Sequence, residues 1–262
     1  MRNGINKGLK RRGGLAWVPM EQPTAESEFW EALDCRNLVV YDIGAFHRLL
    51  TIYFARQAKQ VIAFEPNSRN RRRLEENIAL NGFRNVLVRP YGLSSVASTA
   101  KMTFDPLAPG TASIDSGIAW GGEVETIEIR TLDSETGFPA PDLVKIDVEG
   151  DELEVLKGAA QTLSARPALF LEMHGSDAED KRKRVEAIVA HLWQLGYRDL
   201  FQCRKRHGDH SREFCEGRPR TPLPQEGLNP LLLRVCLQLF SVRQVRISNR
   251  ENKELNWRSR LK

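Results

Sequence analysis

From residue 38 to about residue 200 the chain alternates short apolar runs with stretches of helical period. The first run, Leu38-Val39-Val40-Tyr41, has the length and branching of a buried strand. After Asp42-Ile43-Gly44-Ala45, the apolar residues Leu49, Ile52 and Tyr53 recur at helical spacing. Residues 61–64 form a second run, closed by Glu65-Pro66-Asn67. Leu74 and Ile78 mark the inner face of the next helix. Its outer face offers the i,i+4 pairs Arg71–Glu75 and Arg72–Glu76, and Asn81-Gly82 stops it. Residues 85–88 make a third strand and residues 143–148 a fourth. Leu153, Leu156, Ala160 and Leu163 then share one helical face. A fifth strand over 168–171 leads to a long helix carrying Val185, Ile188, Val189, Leu192 and Leu195, ended by Gly196. Residues 197–201 read as a short last strand, and a short helix is expected over 28–33. Residues 94–130 break the rhythm: Pro106, Pro109 and several Gly and Ser precede an alternating stretch from Val124 to Ile129, which predicts loops and antiparallel strands. Asn229-Pro230 and the apolar residues after it fit either a capped helix or a final strand.

This alternation predicts an α/β fold with a doubly wound, mostly parallel sheet covered on both faces. The expected organisation is a flexible basic leader over 1–26, one domain over 27–241 with its core about 38–201 and insertions at 94–130 and 202–229, and a basic tail over 242–262. The length of 262 residues allows a sizeable core, and 41% hydrophobic with 28% charged residues is a globular composition. No apolar run reaches the ~18 residues of a spanning helix, and no secretory signal is read at the N-terminus. The net charge of +5 is unevenly spread. Residues 1–14 carry five bases and no acid, residues 242–262 carry seven bases against two acids, and the middle is left at −5. Basic ends on an acidic body argue against a specific nucleic-acid partner and allow weak contact with an anionic surface. The four cysteines lack framework spacing and read as reduced thiols of a cytoplasmic protein.

In a doubly wound sheet the ligand lies beyond the carboxyl ends of the strands, so the residues just after each apolar run carry the chemistry. In chain order these are Asp42, Gly44 and Ala45; Glu65, Pro66 and Asn67; Tyr91 and Gly92; Asp147 and Glu149; and Glu172 and His174. Gly44 permits a positive φ and close approach of a ligand. Glu65 stands 23 residues after Asp42, near the ~20 expected for an acid that takes both ribose hydroxyls. No G-x-G-x-x-G is present, since Phe46-His47-Arg48 fill the turn. A nucleoside cofactor without a pyrophosphate is therefore favoured over NAD or FAD.

Several segments together resemble the FkbM-type family of S-adenosylmethionine-dependent methyltransferases. They are Val40 to Ala45, VIAFEPN at 61–67, NIALNGFRNV at 77–86, TLD at 131–133, DLVKIDVEGDELEVLKGA at 142–159 and LFLEMH at 169–174. The resemblance implies a class I methyltransferase fold, a seven-stranded sheet with one antiparallel strand, and methylation of hydroxyl groups, often on sugars or polyketides. It implies a cofactor turn at Asp42, Gly44 and Ala45, a ribose acid at Glu65 beside Pro66 and Asn67, and a fourth-strand acid at Asp147 that faces cofactor and acceptor. The family's turn usually reads Asp-x-Gly-Ala-Asn-x-Gly, whereas this chain has Phe46 and Arg48. Those side chains either crowd the methionine end or, for Arg48, point outward.

For a hydroxyl acceptor, His174 is the candidate base, because a free pKa of ~6.5 leaves neutral imidazole near pH 7. Asp147 and Glu172 are candidates to orient it, Tyr91 joins the cofactor-binding set, and Lys145 is read as one partner of a structural ion pair. No metal is assigned. Asp147, Glu149, Glu172 and His174 could share a divalent ion, and Cys203, His207, His210 and Cys215 invite a zinc reading that a basic loop explains better. The expected activity is methyl transfer from S-adenosylmethionine to a small-molecule or glycan hydroxyl. A non-catalytic ligand-binding descendant of the fold and a nucleotide-dependent oxidoreductase are the competing readings.

Overall fold

The computed structural model describes residues 6–12, 30–31, 33–46, 50–104, 113–114, 123–198, 200–205 and 235–240. Its main sheet has seven strands: β1 (Val39–Ile43), β2 (Gln60–Phe64), β3 (Val86–Arg89), β8 (Leu143–Ile146), β9 (Ala168–Met173), β10 (Leu200–Lys205) and β11 (Val235–Phe240). Their order is β10-β11-β9-β8-β1-β2-β3. Every pairing in this sheet is parallel, including those of β11, where the resemblance implied one antiparallel strand. Of the two readings at 229–239, the strand is the one formed at Val235–Phe240.

Period-two alternation sends side chains to two cores. Val39, Tyr41 and Ile43 of β1 join one core with Val144, Ile146, Val155, Leu163, Val185 and Leu192. Val40 faces the other way, into a core with Trp30, Tyr53, Phe54 and Phe170. That second face is covered by α1 (Leu50–Ala55) and by α2 (Ser68–Leu80), which contributes Leu74 and Ile78. The first face is covered by α3 (Glu152–Lys157), α4 (Ala160–Ser164) and α5 (Ala178–Gln194). The apolar period over 153–163 predicts one helix, but the chain breaks it at Gly158. A Cβ there would stand 2.1 Å from the Ser94 carbonyl oxygen, so close backbone contact with a distant segment overrides the local pattern.

Within the 94–130 stretch the described strands pair antiparallel, as expected, while the short strand just before it joins their sheet in parallel. The strands β4 (Gly92–Leu93), β5 (Ser98–Phe104), β6 (Ser113–Ile114) and β7 (Glu123–Arg130) form a second sheet of order β4-β7-β5-β6. Ile127, Ile129 and Met102 fill its small core. Glu125 of β7 fastens this sheet to the main domain by accepting the Ser68 N–H at 3.0 Å and the Asn67 side-chain amide at 3.2 Å.

The leader departs from the expectation of a loose segment. Residues 6–12 lie on α1 and α2: Leu9 is buried with Ala45, Ile52, Leu74 and Ile78. The side chain of Asn81 accepts the Lys10 N–H and donates to the Lys10 carbonyl, both at 2.8 Å. Asn77 accepts the Arg12 N–H at 2.7 Å. One buried leucine and three hydrogen bonds outweigh the polar composition that reads as unstructured. The rest of the leader, residues 206–234 of the second insertion with His207, His210 and Cys215 of the zinc reading, and the basic tail fall outside the described residues, while Cys203 lies in β10. No described helix is long and apolar enough to cross a membrane.

Candidate active site

Strand β1 pairs with β2 on one side and β8 on the other, so the chain's winding reverses there. The turn after β1 is fixed to both neighbours. Gly44 N–H and Ala45 N–H donate to the Phe64 carbonyl at 3.1 and 3.0 Å, and Asp147 N–H donates to the Ile43 carbonyl at 3.1 Å. Gly44 has φ +72°, and a Cβ on it would lie 1.8 Å from the Asp147 carbonyl oxygen. Glycine is thus required twice at this position, by conformation and by contact.

Beneath the turn lies a buried ion triad. Asp42 and Lys145 are register partners on β1 and β8, and Lys145 and Asp147 share a face by the two-residue period. Lys145 Nζ stands 3.2 Å from Asp42 Oδ1 and 3.4 Å from Asp147 Oδ2, and it donates to the Gly44 carbonyl at 3.0 Å. Thr51 donates its hydroxyl to Asp42 Oδ2 at 2.6 Å. Asp42 is fully buried within β1 rather than following it, so it supports the turn from below. Lys145 is the structural ion-pair partner that the spacing suggested.

Glu65 stands directly after β2 and is buried. Its Oε2 accepts the Phe46 N–H at 2.6 Å and its Oε1 accepts the Asn67 N–H at 2.9 Å. Burial pushes its carboxyl up to about 7, against the pull of these two amides and of Lys145 and Arg71. Each oxygen holds one amide and retains acceptor capacity for one more donor, which fits a ribose diol. Phe46 takes a left-handed backbone, φ +51°, and this aims its N–H at Glu65. His47, Arg48 and Leu49 lie outside the described residues. Asn67 caps α2 by accepting the Asn70 N–H at 2.9 Å, and Arg71 turns to the Glu65 and Pro66 carbonyls. Ala45 is fully buried against Leu9 and Ile52, and Pro66 is half-buried beside Gly92.

His174 follows β9 and lies among three carboxylates. Its Nδ1 is 2.7 Å from Glu152 Oε1, and its Nε2 is 3.4 Å from Glu149 Oε2 and 3.7 Å from Asp147 Oδ1. Burial opposes the imidazolium, but the bond to Glu152 and the charges of Glu149 and Asp147 outweigh it, and the ring's pKa lies above the ordinary value. Glu152, at the start of α3, is 1% exposed and also accepts the Gly150 N–H at 3.1 Å. Glu149 is carried into the cluster by a turn with φ +54° at Glu149 and +119° at Gly150, which Arg184 holds by donating to the Gly150 carbonyl at 2.6 Å. One ligand atom each of Asp147, Glu149 and His174 lies within 4.8 Å of the other two. This spacing lets the three share a cation, either a proton on the ring or a divalent metal.

The strand-end residues therefore divide. Gly44, Glu65, Asp147 and His174 gather at the carboxyl edge of the sheet, with Asp42 beneath. Glu172 lies within β9 and is buried; the group bonded to the imidazole is Glu152, which the sequence reading passed over. Tyr91 is 1% exposed and its hydroxyl donates to Glu135 and accepts from Arg89 Nε, so its polar end serves a separate cluster.

Known proteins share this chain's pattern. It is 37% identical over 126 residues to the hexuronic acid methyltransferase AglP of Haloferax volcanii, covering 47% of this chain and 51% of that protein. It is 31% identical over 156 residues to the methyltransferase sdnD of Sordaria araneosa, covering 47% of this chain and 60% of that one. The matches thus span about half to three fifths of these relatives. The crystal structure of a methyltransferase FkbM from Methylobacillus flagellatus aligns with a TM-score of 0.41 at 20% identity, over 58% of this chain and 37% of that one. Residues 42–198 match the methyltransferase FkbM domain. That span holds the turn at Gly44, the acid at Glu65 and the His174 cluster, and it makes the chain a member of the FkbM methyltransferase family.

Proposed function

We propose that this chain is an S-adenosylmethionine-dependent methyltransferase acting on a hydroxyl of a sugar-like acceptor. The observation that carries the reading is the pairing of His174 with the buried Glu152 on the same sheet edge as the Glu65 carboxylate. The name of the haloarchaeal relative, a hexuronic acid methyltransferase, supports a sugar acid as the first acceptor to try.

When bound, S-adenosylmethionine supplies a methyl group already activated on a sulfonium. Glu65 would hold its ribose hydroxyls by accepting their hydrogen bonds, beside the turn that Gly44 lets pack on Asp147. The chain's remaining task is to align the acceptor, where good orientation is worth up to ~7–11 kcal/mol, and to take its proton. His174 receives that proton on Nε2. Glu152 accepts the Nδ1–H, which fixes the tautomer with Nε2 toward the acceptor side and stabilises the imidazolium once it forms. Asp147, with one oxygen toward Lys145 and the other toward His174, anchors the ring from the β8 side.

The test is incubation with methyl-labelled S-adenosylmethionine and a panel of uronic acids, neutral sugars and polyketide alcohols, read by mass spectrometry, with and without EDTA. Labelled product on oxygen, insensitive to EDTA, is expected. Calorimetric failure of the folded chain to bind S-adenosylmethionine defeats the reading. Activity lost on EDTA and restored by magnesium makes the Asp147–Glu149–His174 cluster a metal centre instead.

A further inference from the structure

The docked leader changes the electrostatics of one face. Residues 6–12 carry Lys7, Lys10, Arg11 and Arg12 and no acid, and they lie along the Asn77–Asn81 row of α2. One turn earlier on the same helix stand Arg72 and Arg73. Burial and then the charge of Arg73 hold the Arg11 guanidinium below its ordinary value, and the bonds to Asn77 and Asn81 keep the strap along this helix. At the far end Arg56 donates to the Lys7 carbonyl at 3.3 Å. Glu75 and Glu76 are the acids on α2 itself, and among the described residues no ion pair joins either of them to the strap. Cations that count as a loose terminal tail in the sequence are assembled by Leu9, Asn77 and Asn81 into a fixed patch on the folded body.

We infer that the strap of residues 6–12 and the adjoining face of α2 form a docking surface for an anionic lipid bilayer. Clustered Lys and Arg near a bilayer are each worth about a fivefold gain in partitioning on the scale of membrane electrostatics. The exposed apolar group of the patch is Leu80, 43% exposed, next to the strap's anchor Asn81. An aliphatic side chain among cations suits the boundary between headgroups and acyl chains. Neither the strap nor α2 contains an aromatic residue, and single-stranded nucleic acid would want stacking platforms beside the charge. The inference concerns a face distinct from the strand-end cluster and does not depend on methyl transfer.

The experiment is co-sedimentation of the full chain with vesicles, with neither cofactor nor acceptor present. Vesicles of phosphatidylglycerol and phosphatidylcholine in equal parts should carry the protein down, and phosphatidylcholine alone should not. Binding should fade as salt approaches ~1 M, where charge is screened within ~3 Å. The double variant Lys10→Glu/Arg12→Glu, whose anchors are backbone groups, should lower partitioning at least about tenfold. Leu9→Ser keeps every charge but loosens the strap, and it should also weaken binding. Arg72→Gln/Arg73→Gln reads the helix side independently, should a strap variant fail to fold. Absence of vesicle binding, or wild-type binding by folded strap and helix variants, overturns the inference. Binding to a single-stranded RNA with no vesicle binding overturns it in favour of a nucleic-acid face.

Discussion

Glu135 and His174 each sit in a ring of ionisable partners, and the two rings are balanced in opposite ways. Glu135 is a single buried carboxylate that accepts the Tyr91 hydroxyl and lies 3.6 Å from Arg89 and 3.5 Å from Arg130. Arg130 also stacks over the Tyr91 ring at 4.2 Å. Two guanidiniums meet this one carboxylate, Arg130 being shared with Glu128 at 2.7 Å, and both can send spare N–H groups to solvent. His174 is the reverse: one imidazole faces Asp147, Glu149 and Glu152, and Lys145 beneath is divided between Asp42 and Asp147. A carboxylate with surplus cations is fully stabilised by its surroundings. A histidine with surplus carboxylates is held ready to take a positive charge, which is what a proton acceptor in catalysis needs.

Substitutions on either side should break the contrast by different amounts. Removing the imidazole with His174→Ala should lower turnover by about 10²–10⁴-fold and leave S-adenosylmethionine affinity by calorimetry unchanged; full turnover would take His174 out of the mechanism. Lys145→Met leaves Asp42 and Asp147 buried without their cation and should cost about 3–5 kcal/mol of stability in urea unfolding. Glu135→Ala should cost about 1–3 kcal/mol by the same measurement, with turnover per folded molecule unchanged. A kinetic defect there would mean that the two rings are not separate in role.

The finest of these tests is Glu152→Gln, read as a pH profile. On the proposed role of His174 as proton acceptor, turnover in the parent should rise with pH through the ring's raised pKa and level off above it. Gln removes the charge that helps raise that pKa, and the ascending limb should move to lower pH. The linked stability follows the same sign. The raised pKa contributes stability that is fully present below the ordinary imidazole value and is lost as pH climbs through the raised one. In Glu152→Gln that dependence should shrink, which thermal melts across pH can read.

The sequence exposed the edge of the sheet more readily than the contacts made there. β1, β2, β8 and β9 announce themselves as short apolar runs, and the acids after them follow from topology, so Glu65, Asp147 and His174 were legible. Glu152 was not, because a Glu in the first turn of a helix reads as an ordinary dipole partner, and only the return of β9 brings His174 to it. Glu172 reads as a strand-end acid, yet the strand continues through it to Met173 and leaves it within β9. The break between α3 and α4 depends on Ser94, far away in sequence, and the strap depends on Leu9 finding a slot between α1 and α2. Both are tertiary effects that no local period records.

The backbone at Glu149 has a bearing on how this protein could be altered. A glutamate in the left-handed region stores about 1–3 kcal/mol, and asparagine or glycine would rest there more comfortably. Glu149→Asn should therefore give a more heat-resistant chain while removing a carboxylate from beside the imidazole. Selection for thermal endurance alone would drift toward such forms, and it would enrich proteins that survive heating but have lost part of their chemistry.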